Sequence, residues 1–395
     1  MTIFYQIRVD RNNMNIYLDN AATTRVYPEV AELMTQVMCQ DYGNPSSLHR
    51  MGMQAEKHIK QATEIIAREL KVTTKELIFT SGGTESDNLA LIGCALANQR
   101  RGKHIITSSI EHPAVLEPMK YLESQGFEVT YLSVDDFGVV SIDELKQALR
   151  NDTILVSIMM QNNEIGSIQP IQELAQVVHA YHSQILFHCD AVQAFGKMKI
   201  HPKKLGTDLL TISAHKIHGP KGVGLLYIRQ GVKISPLFYG GKQQYNIRSG
   251  TENVPAIAGF GLATSMVYQG LEDKKERMLS LKQHLLEGLQ QSDLSDVHVN
   301  PGDSEYIVSV GFKGVRAEVL LHALEEKGIY ISSGSACASN KREISEVLKA
   351  IRCPQDFIEC VVRFSFSEFT TMEEIDITIE AIQQTVPMLR RFVRK

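Results

Sequence analysis

The chain has 395 residues, of which 43% are hydrophobic and 22% are charged, so it is long enough for two domains with substantial cores. Its formal net charge of -4 and the lack of a long basic run argue against nucleic acid as a partner. Small-molecule chemistry is therefore the better expectation.

The cysteines and the apolar stretches bear on the compartment. The six cysteines are widely spaced and no two form a Cys-x-x-Cys pair, which is typical of free thiols in a reducing cytosol. Residues 1–13 lack the long apolar core of a secretory signal. The longest uncharged stretch, residues 254–271, contains a proline and three glycines and favours a packed helix over a membrane span. The sequence predicts a cytoplasmic protein without a membrane segment.

From residue 52 to residue 230, helical periodicity alternates with short apolar runs. This alternation predicts an α/β fold with a mostly parallel sheet sandwiched by helices. We expect helices between the first five strands, and ligands near the carboxyl ends of the strands. The predicted strands cover residues 77–80, 104–108, 128–134, 153–160, 185–190, 209–213 and 223–228.

Beyond residue 271 the pattern changes to a charged amphipathic helix over 272–289 and then a smaller α+β unit. We expect the N-terminal segment around residues 16–18 to pack with this unit. The predicted domains are therefore a large domain over 25–270 and a small domain formed by 1–24 and 271–395. The small unit has predicted strands at 306–310, 330–332 and 361–367, and predicted helices near 316–327, 341–351 and 372–390.

The segment from Thr211 to Gly222 holds the first candidate for chemistry. The apolar run that begins at Leu209 stops at Ser213, and Lys216 follows directly. A lysine with a lowered pKa forms an imine with an aldehyde, and neighbouring cations such as His215 are one cause of a lowered pKa. A surface lysine in a turn is the alternative interpretation.

Three other strand ends carry polar signals. Ser81-Gly-Gly-Thr-Glu-Ser86 lies between a strand and a helix, so its backbone N–H groups and the Thr84 hydroxyl can bind an anion such as phosphate. It lacks the patterns of nucleotide P-loops and dinucleotide sites, and a simple capped helix is the alternative.

Asp190 ends a buried strand and needs a cationic partner such as a protonated pyridine nitrogen, unless it caps the next segment. His112 follows another strand end as a stacking ring, an acid/base or a satisfied loop histidine.

A lysine for an imine, a phosphate cup and a carboxylate for a ring nitrogen are together the requirements of pyridoxal 5'-phosphate. The sequence also resembles the cysteine desulfurases of the NifS/IscS type, within the class V aminotransferase-like enzymes of pyridoxal-phosphate fold type I. The resemblance extends over nearly the whole chain. Its blocks are Tyr17-Leu-Asp-Asn-Ala-Ala-Thr-Thr24, Gly43-Asn-Pro-Ser-Ser-Leu-His49, Thr80-Ser-Gly-Gly-Thr-Glu-Ser86, Asn162-Asn-Glu-Ile-Gly166, Ser213-Ala-His-Lys-Ile-His-Gly-Pro-Lys-Gly222, Arg248-Ser-Gly-Thr-Glu-Asn253, Ser332-Ser-Gly-Ser-Ala-Cys337 and Glu373-Glu-Ile-Asp376.

The resemblance implies a role for each matching residue. Lys216 would bind the cofactor aldehyde, His112 would stack on its ring and assist as acid/base, Asp190 would pair with the ring nitrogen and Gln193 with the ring hydroxyl. Asn163 and Arg363 would bind the substrate, Asn163 also contacting the cofactor. The phosphate would be held by Gly83, Thr84, Ser213 and His215, together with Thr251 from the other subunit of a homodimer with a shared active site. No metal site is expected.

Cys337 is the second reactive centre that the resemblance implies. Its surroundings, Ser332-Ser-Gly-Ser-Ala-Cys-Ala-Ser339, are small residues that allow a thiolate to move between a pocket and a partner. The implied reaction converts L-cysteine to L-alanine and leaves a persulfide on Cys337 for an acceptor protein. Iron–sulfur cluster assembly and tRNA thiolation both remain open as the pathway.

Two short stretches depart from the pattern of the family. Ser367-Glu368 stands where many relatives carry Gly-Arg, and Met159-Met-Gln161 stands where Met-His-Val is frequent. Neither touches a residue with an implied role, but both leave the subgroup and its acceptor open. The alternatives are a selenocysteine lyase or an aminotransferase-like enzyme with the same cofactor, and a non-catalytic scaffold that binds sulfur carriers.

Overall fold

A computed structural model describes residues 15–333 and 344–392 of the chain. Its strands are β1 (Ile16–Tyr17), β2 (Leu77–Thr80), β3 (His104–Ser108), β4 (Glu128–Leu132), β5 (Thr153–Ser157), β6 (Leu186–Asp190), β7 (Leu209–Ser213), β8 (Gly224–Ile228), β9 (Val297–Asn300), β10 (Ile307–Phe312), β11 (Ile329–Tyr330) and β12 (Val361–Ser365). Its α-helices are α1 (Pro28–Cys39), α2 (Arg50–Leu70), α3 (Gly83–Asn98), α4 (Pro113–Ser124), α5 (Ile142–Ala148), α6 (Ile171–Tyr181), α7 (Pro202–Leu205), α8 (Val254–Tyr268), α9 (Leu271–Gln290), α10 (Ala317–Glu325), α11 (Glu346–Ala350) and α12 (Met372–Arg390).

The main sheet of the described residues has seven strands in the order β2-β8-β7-β6-β5-β3-β4. The neighbours from β7 through β4 are paired in parallel, and β8 runs antiparallel to both β7 and β2. All seven predicted strands are present, and the prediction of a mostly parallel sheet is confirmed. Except for β4, these strands are buried along their whole length, because helices cover both faces of a parallel sheet.

Helices α2 and α8 illustrate how closely the layers approach. A Cβ atom on Gly261 of α8 would lie 2.6 Å from the Cα and Cβ atoms of Ala62 in α2, so a larger residue at 261 would force the helices apart. The uncharged stretch that includes Gly261 is therefore a buried helix of the core, as predicted. Among the described residues, no helix has both the length and the apolar character needed to cross a membrane.

A second hydrophobic core lies around the three-stranded antiparallel sheet β12-β10-β9. Helices α9, α10 and α12 pack with this sheet, and β1 pairs in parallel with β11, so the N-terminal segment joins this core as expected. Strand β9 was not predicted, because Val-His-Val-Asn is short and only half-buried. On the basis of the two cores we propose the domain division given above, with apolar residues of 347–361 packing across onto the first core.

Candidate active site

Lys216 lies at the carboxyl end of β7, in a single 3₁₀ turn formed by Ala214–Lys216. Its Nζ donates hydrogen bonds to the backbone oxygens of Ala21 and Ala22, the latter at 2.8 Å. The N-terminal segment is fixed there because the backbone N–H of Thr24 donates to the carbonyl of His215 at 2.9 Å. Lys216 is thus half-buried between a strand end and the N-terminal segment, and is not a solvent-exposed turn lysine.

Asp190 ends the neighbouring strand β6, and its Cα is paired with that of Thr211 in β7. Its side chain is buried, and Oδ1 accepts a hydrogen bond from the backbone N–H of Val192 at 2.8 Å. Burial raises the pKa of this carboxyl to about 6, although the Val192 N–H and the nearby Lys216 ammonium both act to lower it. A carboxylate in such a place is stabilised by a further cationic donor, which a protonated ring nitrogen supplies.

His112 is the N-cap residue of α4, and its Nδ1 accepts a hydrogen bond from the backbone N–H of Ala114 at 3.1 Å. Burial, and after it the positive charge of Lys216, lowers the pKa of the imidazole to about 4. The ring is therefore neutral at pH 7, and the hydrogen lies on Nε2 because Nδ1 is an acceptor. A neutral, flat ring beside Lys216 suits both stacking and proton transfer.

An anion-binding cradle is formed where α3 begins. The helix starts at Gly83, where an added Cβ would lie 2.9 Å from Val192 Cγ2 and 3.7 Å from Ser213 Cβ. The Ser213 hydroxyl is buried and has no hydrogen-bond partner among the described residues. A helix N-terminus and an unsatisfied hydroxyl side by side are suited to phosphate oxygens.

His215 and Thr84 are close in sequence to the two residues that form this cradle, since His215 lies two residues after Ser213 and Thr84 directly follows Gly83. His215 Nδ1 lies 3.2 Å from the Thr23 hydroxyl, and burial, followed by Lys216 and Lys221, lowers the pKa of the ring to about 4. Thr84 follows Gly83 in the first turn of α3 and is exposed. The contact of both residues with a phosphate stays a prediction.

Gln193 connects the Lys216 region to the turn that follows β6. Its Nε2 donates to the Ala21 carbonyl at 2.8 Å, the same oxygen that accepts from Lys216. Its Oε1 accepts a hydrogen bond from Lys197 at 3.1 Å. Gln193 therefore presents an amide group directly beside the lysine.

Arg363 on β12 is buried, and its guanidinium binds two groups from other segments. Nη1 donates to the backbone oxygen of Asn163 at 2.8 Å, and Nη2 donates to Asp19 Oδ1 at 2.7 Å. The predicted substrate residues Asn163 and Arg363 thus lie together, and the buried Nε hydrogen of Arg363 is left without an acceptor among the described residues.

Two predicted residues are not brought into this cluster. Cys337 lies outside the described residues. Thr251 is exposed in the segment before α8, and its role concerns a second subunit, so it stays a prediction. The last described residues before Cys337 lie beside Arg363, because Ser332 and Arg363 exchange two backbone hydrogen bonds of 3.1 and 2.7 Å. The first described residues after Cys337 lie near Asn163, since the Ser345 hydroxyl donates to Glu164 Oε2 at 2.6 Å.

Sequence reasoning missed a group of buried polar residues around Asp190. Glu111 Oε1 accepts from the Ser108 hydroxyl at 2.6 Å and from the Met159 N–H at 2.8 Å, and Oε2 has no partner among the described residues. Burial raises its pKa to about 8, opposed by these two hydrogen bonds and supported by the charge of Asp190. The sequence did offer one signal for a role of Glu111 in the site, because Glu111 directly precedes His112.

His188 and Asp87 form the second part of this group. His188 Nδ1 lies 2.8 Å from the Ser157 hydroxyl, and its Nε2 lies 3.1 Å from the Thr211 hydroxyl and 3.5 Å from Asp87 Oδ1. Burial lowers the pKa of His188 to about 3 and raises that of Asp87 well above its usual value, with Asp190 adding to the latter. The period of two along β6 places His188 on the same face as Asp190, which was the available signal.

The sequence matches the family Aminotransferase class-V over residues 16–378. The chain belongs to the class-V aminotransferase family. It is 48% identical to the cysteine desulfurase IscS of Methanosarcina thermophila over 97% of this chain and 94% of that protein. It is 45% identical to the cysteine desulfurase IscS of Dictyoglomus turgidum over 95% of each chain.

Solved structures agree with this membership. A NifS-like protein superposes with a TM-score of 0.90 at 39% identity, covering 95% of this chain and 100% of that one. A structure described as SspA in complex with cysteine gives a TM-score of 0.79 at 34% identity, over 90% of this chain and 100% of that one. The family resemblance and the aminotransferase-like fold that the sequence predicts are confirmed.

Pyridoxal 5'-phosphate is the cofactor of this family, so the predicted cofactor is confirmed. The described residues also fit it on chemical grounds. Lys216 offers an amine, Asp190 a buried carboxylate for the ring nitrogen, and Ser213 beside the start of α3 an unsatisfied hydroxyl for the phosphate. The three groups converge because the carboxyl ends of β6 and β7 meet at one edge of the sheet.

Proposed function

We propose that this protein is a cysteine desulfurase that takes sulfur from L-cysteine, forms L-alanine, and passes the sulfur to an acceptor protein through a persulfide on Cys337. The observation that carries this proposal is the convergence of Lys216, His112 and Asp190 in a chain whose relatives at 40–48% identity are named cysteine desulfurases. The N-terminal segment links Arg363 to this group, because Asp19 accepts from Arg363 and Ala21 accepts from Lys216. The relatives confirm the prediction of a cysteine desulfurase, while the role of Cys337 stays a proposal.

The cofactor, when bound, supplies an aldehyde that joins to amines and a ring that accepts electrons from the substrate carbon. Lys216 would hold it and then remove the α-proton of the substrate as a base, because the amine is free of the aldehyde once the substrate is bound. Asp190 would keep the ring nitrogen protonated, and the neutral His112 would carry protons to and from the thiol groups. Gln193 would donate to the ring oxygen.

Gly83, Thr84, Ser213 and His215 would hold the phosphate, supported by the cradle at the start of α3. Thr251 would complete it from the partner subunit of a homodimer. The segment next to Thr251 supports a dimer, since Tyr239 is 84% and Tyr245 is 56% exposed. Such aromatic exposure is typical of an interface.

Arg363 would bind the α-carboxylate of cysteine, with Asn163 beside it. The buried Nε hydrogen without a partner supports this role, because a carboxylate would satisfy it. The Cys337 thiolate would form an S–S bond as the substrate C–S bond breaks, and the electrons of that bond would stay on the carbon, which is then protonated to give alanine.

Iron–sulfur cluster assembly and tRNA thiolation are both suitable destinations for the persulfide, and we place the reaction in the cytoplasm. The proposed activity is tested by incubating purified protein with L-cysteine and a thiol acceptor and measuring sulfide and alanine. Equal amounts of both are expected. Keto-acid formation without sulfide would indicate an aminotransferase, and faster release of selenium from selenocysteine would indicate a lyase for that substrate. The absence of an absorbance band at about 420 nm would favour the non-catalytic scaffold.

A further inference from the structure

Lys197 is a buried lysine behind the active site. It follows Gly196, whose φ of +77° is a left-handed backbone conformation that favours glycine. A Cβ atom on residue 196 would lie 2.6 Å from Ile217 Cγ2. The Lys197 side chain is 9% exposed, and its Nζ lies 5.5 Å from the centre of the Tyr306 ring. It lines a cavity of about 30 Å³ that Lys216 also lines, which is room for little more than one water.

No carboxylate of the described residues lies within ion-pair distance of Lys197, and Glu368, which lines the same cavity, pairs with Lys274. The one hydrogen-bond partner of Lys197 in the described part of the chain is Gln193. Burial, followed by the positive charges of Lys216 and Arg363, lowers the pKa of Lys197 to about 7. A buried cation with cationic neighbours costs folding free energy, so stability does not account for a lysine at this position.

The contact with Gln193 gives Lys197 a different use. In its ammonium form Lys197 has donors only, so the amide oxygen of Gln193 faces Lys197 and the amide nitrogen faces the Ala21 carbonyl. A flipped amide would place N–H groups against the ammonium and an oxygen against a carbonyl, which are two repulsive contacts. Gln193 Nε2 donates one hydrogen to the Ala21 carbonyl and has a second hydrogen for another acceptor.

We propose that Lys197 is a positioning residue that fixes the amide orientation of Gln193 and thereby the hydrogen-bond donor offered to the ring oxygen of the cofactor. This proposal rests on the proposed function, because it assigns Gln193 to the ring oxygen. Lys197 itself touches neither cofactor nor substrate and acts through Gln193.

The test compares Lys197→Met with Gln193→Leu, the double variant and the wild type, all as holoenzyme. Lys197→Met keeps the length of the side chain but removes the donor. Lys274→Met is the matched control, since Lys274 lines the same cavity but donates to the Met266 carbonyl at 2.8 Å and pairs with Glu368 at 3.2 Å. The readouts are the visible absorbance maximum of the bound cofactor, kcat/KM with cysteine, and Tm.

Lys197→Met is expected to move the absorbance maximum in the same direction as Gln193→Leu and to lower kcat/KM about tenfold, the loss expected for one hydrogen bond. Its Tm is expected to equal or exceed that of the wild type. Lys274→Met is expected to lower Tm and leave the absorbance unchanged. In the double variant, absorbance and kcat/KM are expected to match Gln193→Leu alone, because Lys197 acts only through that amide.

The proposal is overturned if Lys197→Met lowers Tm as much as Lys274→Met while the absorbance stays at the wild-type value. It is also overturned if Lys197→Met changes the absorbance equally with and without Gln193, which would mean that the charge acts directly. Failure of the proposed function is a separate result, namely a wild type that binds the cofactor but releases no sulfide from cysteine.

Discussion

Replacing Glu111 by Gln changes one atom of a buried carboxyl group beside the cofactor site. Oε1 of Glu111 accepts from the Ser108 hydroxyl and the Met159 N–H, and an amide oxygen accepts the same two donors. Oε2 has no partner among the described residues, so the amide nitrogen of Gln replaces an atom that makes no hydrogen bond. Where Glu111 is protonated, the two proteins should therefore differ in the free energy of unfolding by about 1 kcal/mol or less.

The pH dependence follows from the pKa of Glu111, which burial raises from 4.5 to about 8 in the folded protein. Because the folded pKa is the higher one, the folded protein binds the proton more tightly, and Glu111 contributes most stability below pH 4.5. That contribution is lost as the pH rises to about 8. A difference of about 3.5 in pKa corresponds to about 5 kcal/mol as an upper value.

Glu111→Gln does not ionise, so its stability should not contain this loss. We expect the Tm of the variant to be close to that of the wild type at low pH, where the carboxyl is protonated, and above it at alkaline pH. Glu128→Gln is the control, since Glu128 is exposed and pairs with Arg150. Its difference from the wild type should be small and the same at neutral and alkaline pH. Parallel Tm curves for wild type and Glu111→Gln from acid to alkaline pH would refute the reasoning.

Three further substitutions test separate parts of the site. Cys337→Ser should keep the cofactor absorbance and bind cysteine but form no persulfide, because a hydroxyl is a poor nucleophile toward sulfur; substantial sulfur transfer would remove Cys337 from the mechanism. Arg363→Ala should weaken the binding of cysteine by about 2–4 kcal/mol, seen as a higher KM, and an unchanged KM would contradict its role. Ser213→Ala should leave the stability of the cofactor-free protein unchanged, since the hydroxyl has no partner among the described residues, yet weaken cofactor binding about tenfold. Equal cofactor affinity in titrations of wild type and Ser213→Ala would place the phosphate elsewhere.

The main sheet could be predicted from the sequence because its strands are short apolar runs separated by helices with a clear period. Strand β9 was missed because the alternation of apolar and polar residues from Val297 to Asn300 covers only four residues, and among the described strands it pairs with β10 alone. The strand predicted over 361–367 ends at Ser365, where the chain turns toward α12. Both differences depend on which strands pair in the folded protein, and the local hydrophobic periodicity of the sequence carries no information about that pairing.

The site could be predicted where a residue type stands at a strand end, as for Lys216 and Asp190. It could not be predicted where the signal lies in three dimensions. Lys197 reads as an ordinary charged residue in the sequence, and only the packing of Tyr306 against it reveals that it is buried. The buried carboxyl of Glu111 was missed for the same reason, since its donors come from two different strand ends.

The central claim is that Lys216 binds the cofactor and removes the substrate proton so that sulfur is transferred to Cys337. It is tested most directly by mass analysis of the Cys337 peptide after wild type and Lys216→Ala, both supplied with cofactor, are incubated with L-cysteine. The wild-type peptide should gain one sulfur atom in amounts that match the alanine formed, and the Lys216→Ala peptide should gain none. A Lys216→Ala protein that keeps the cofactor band and still places sulfur on Cys337 would contradict the account.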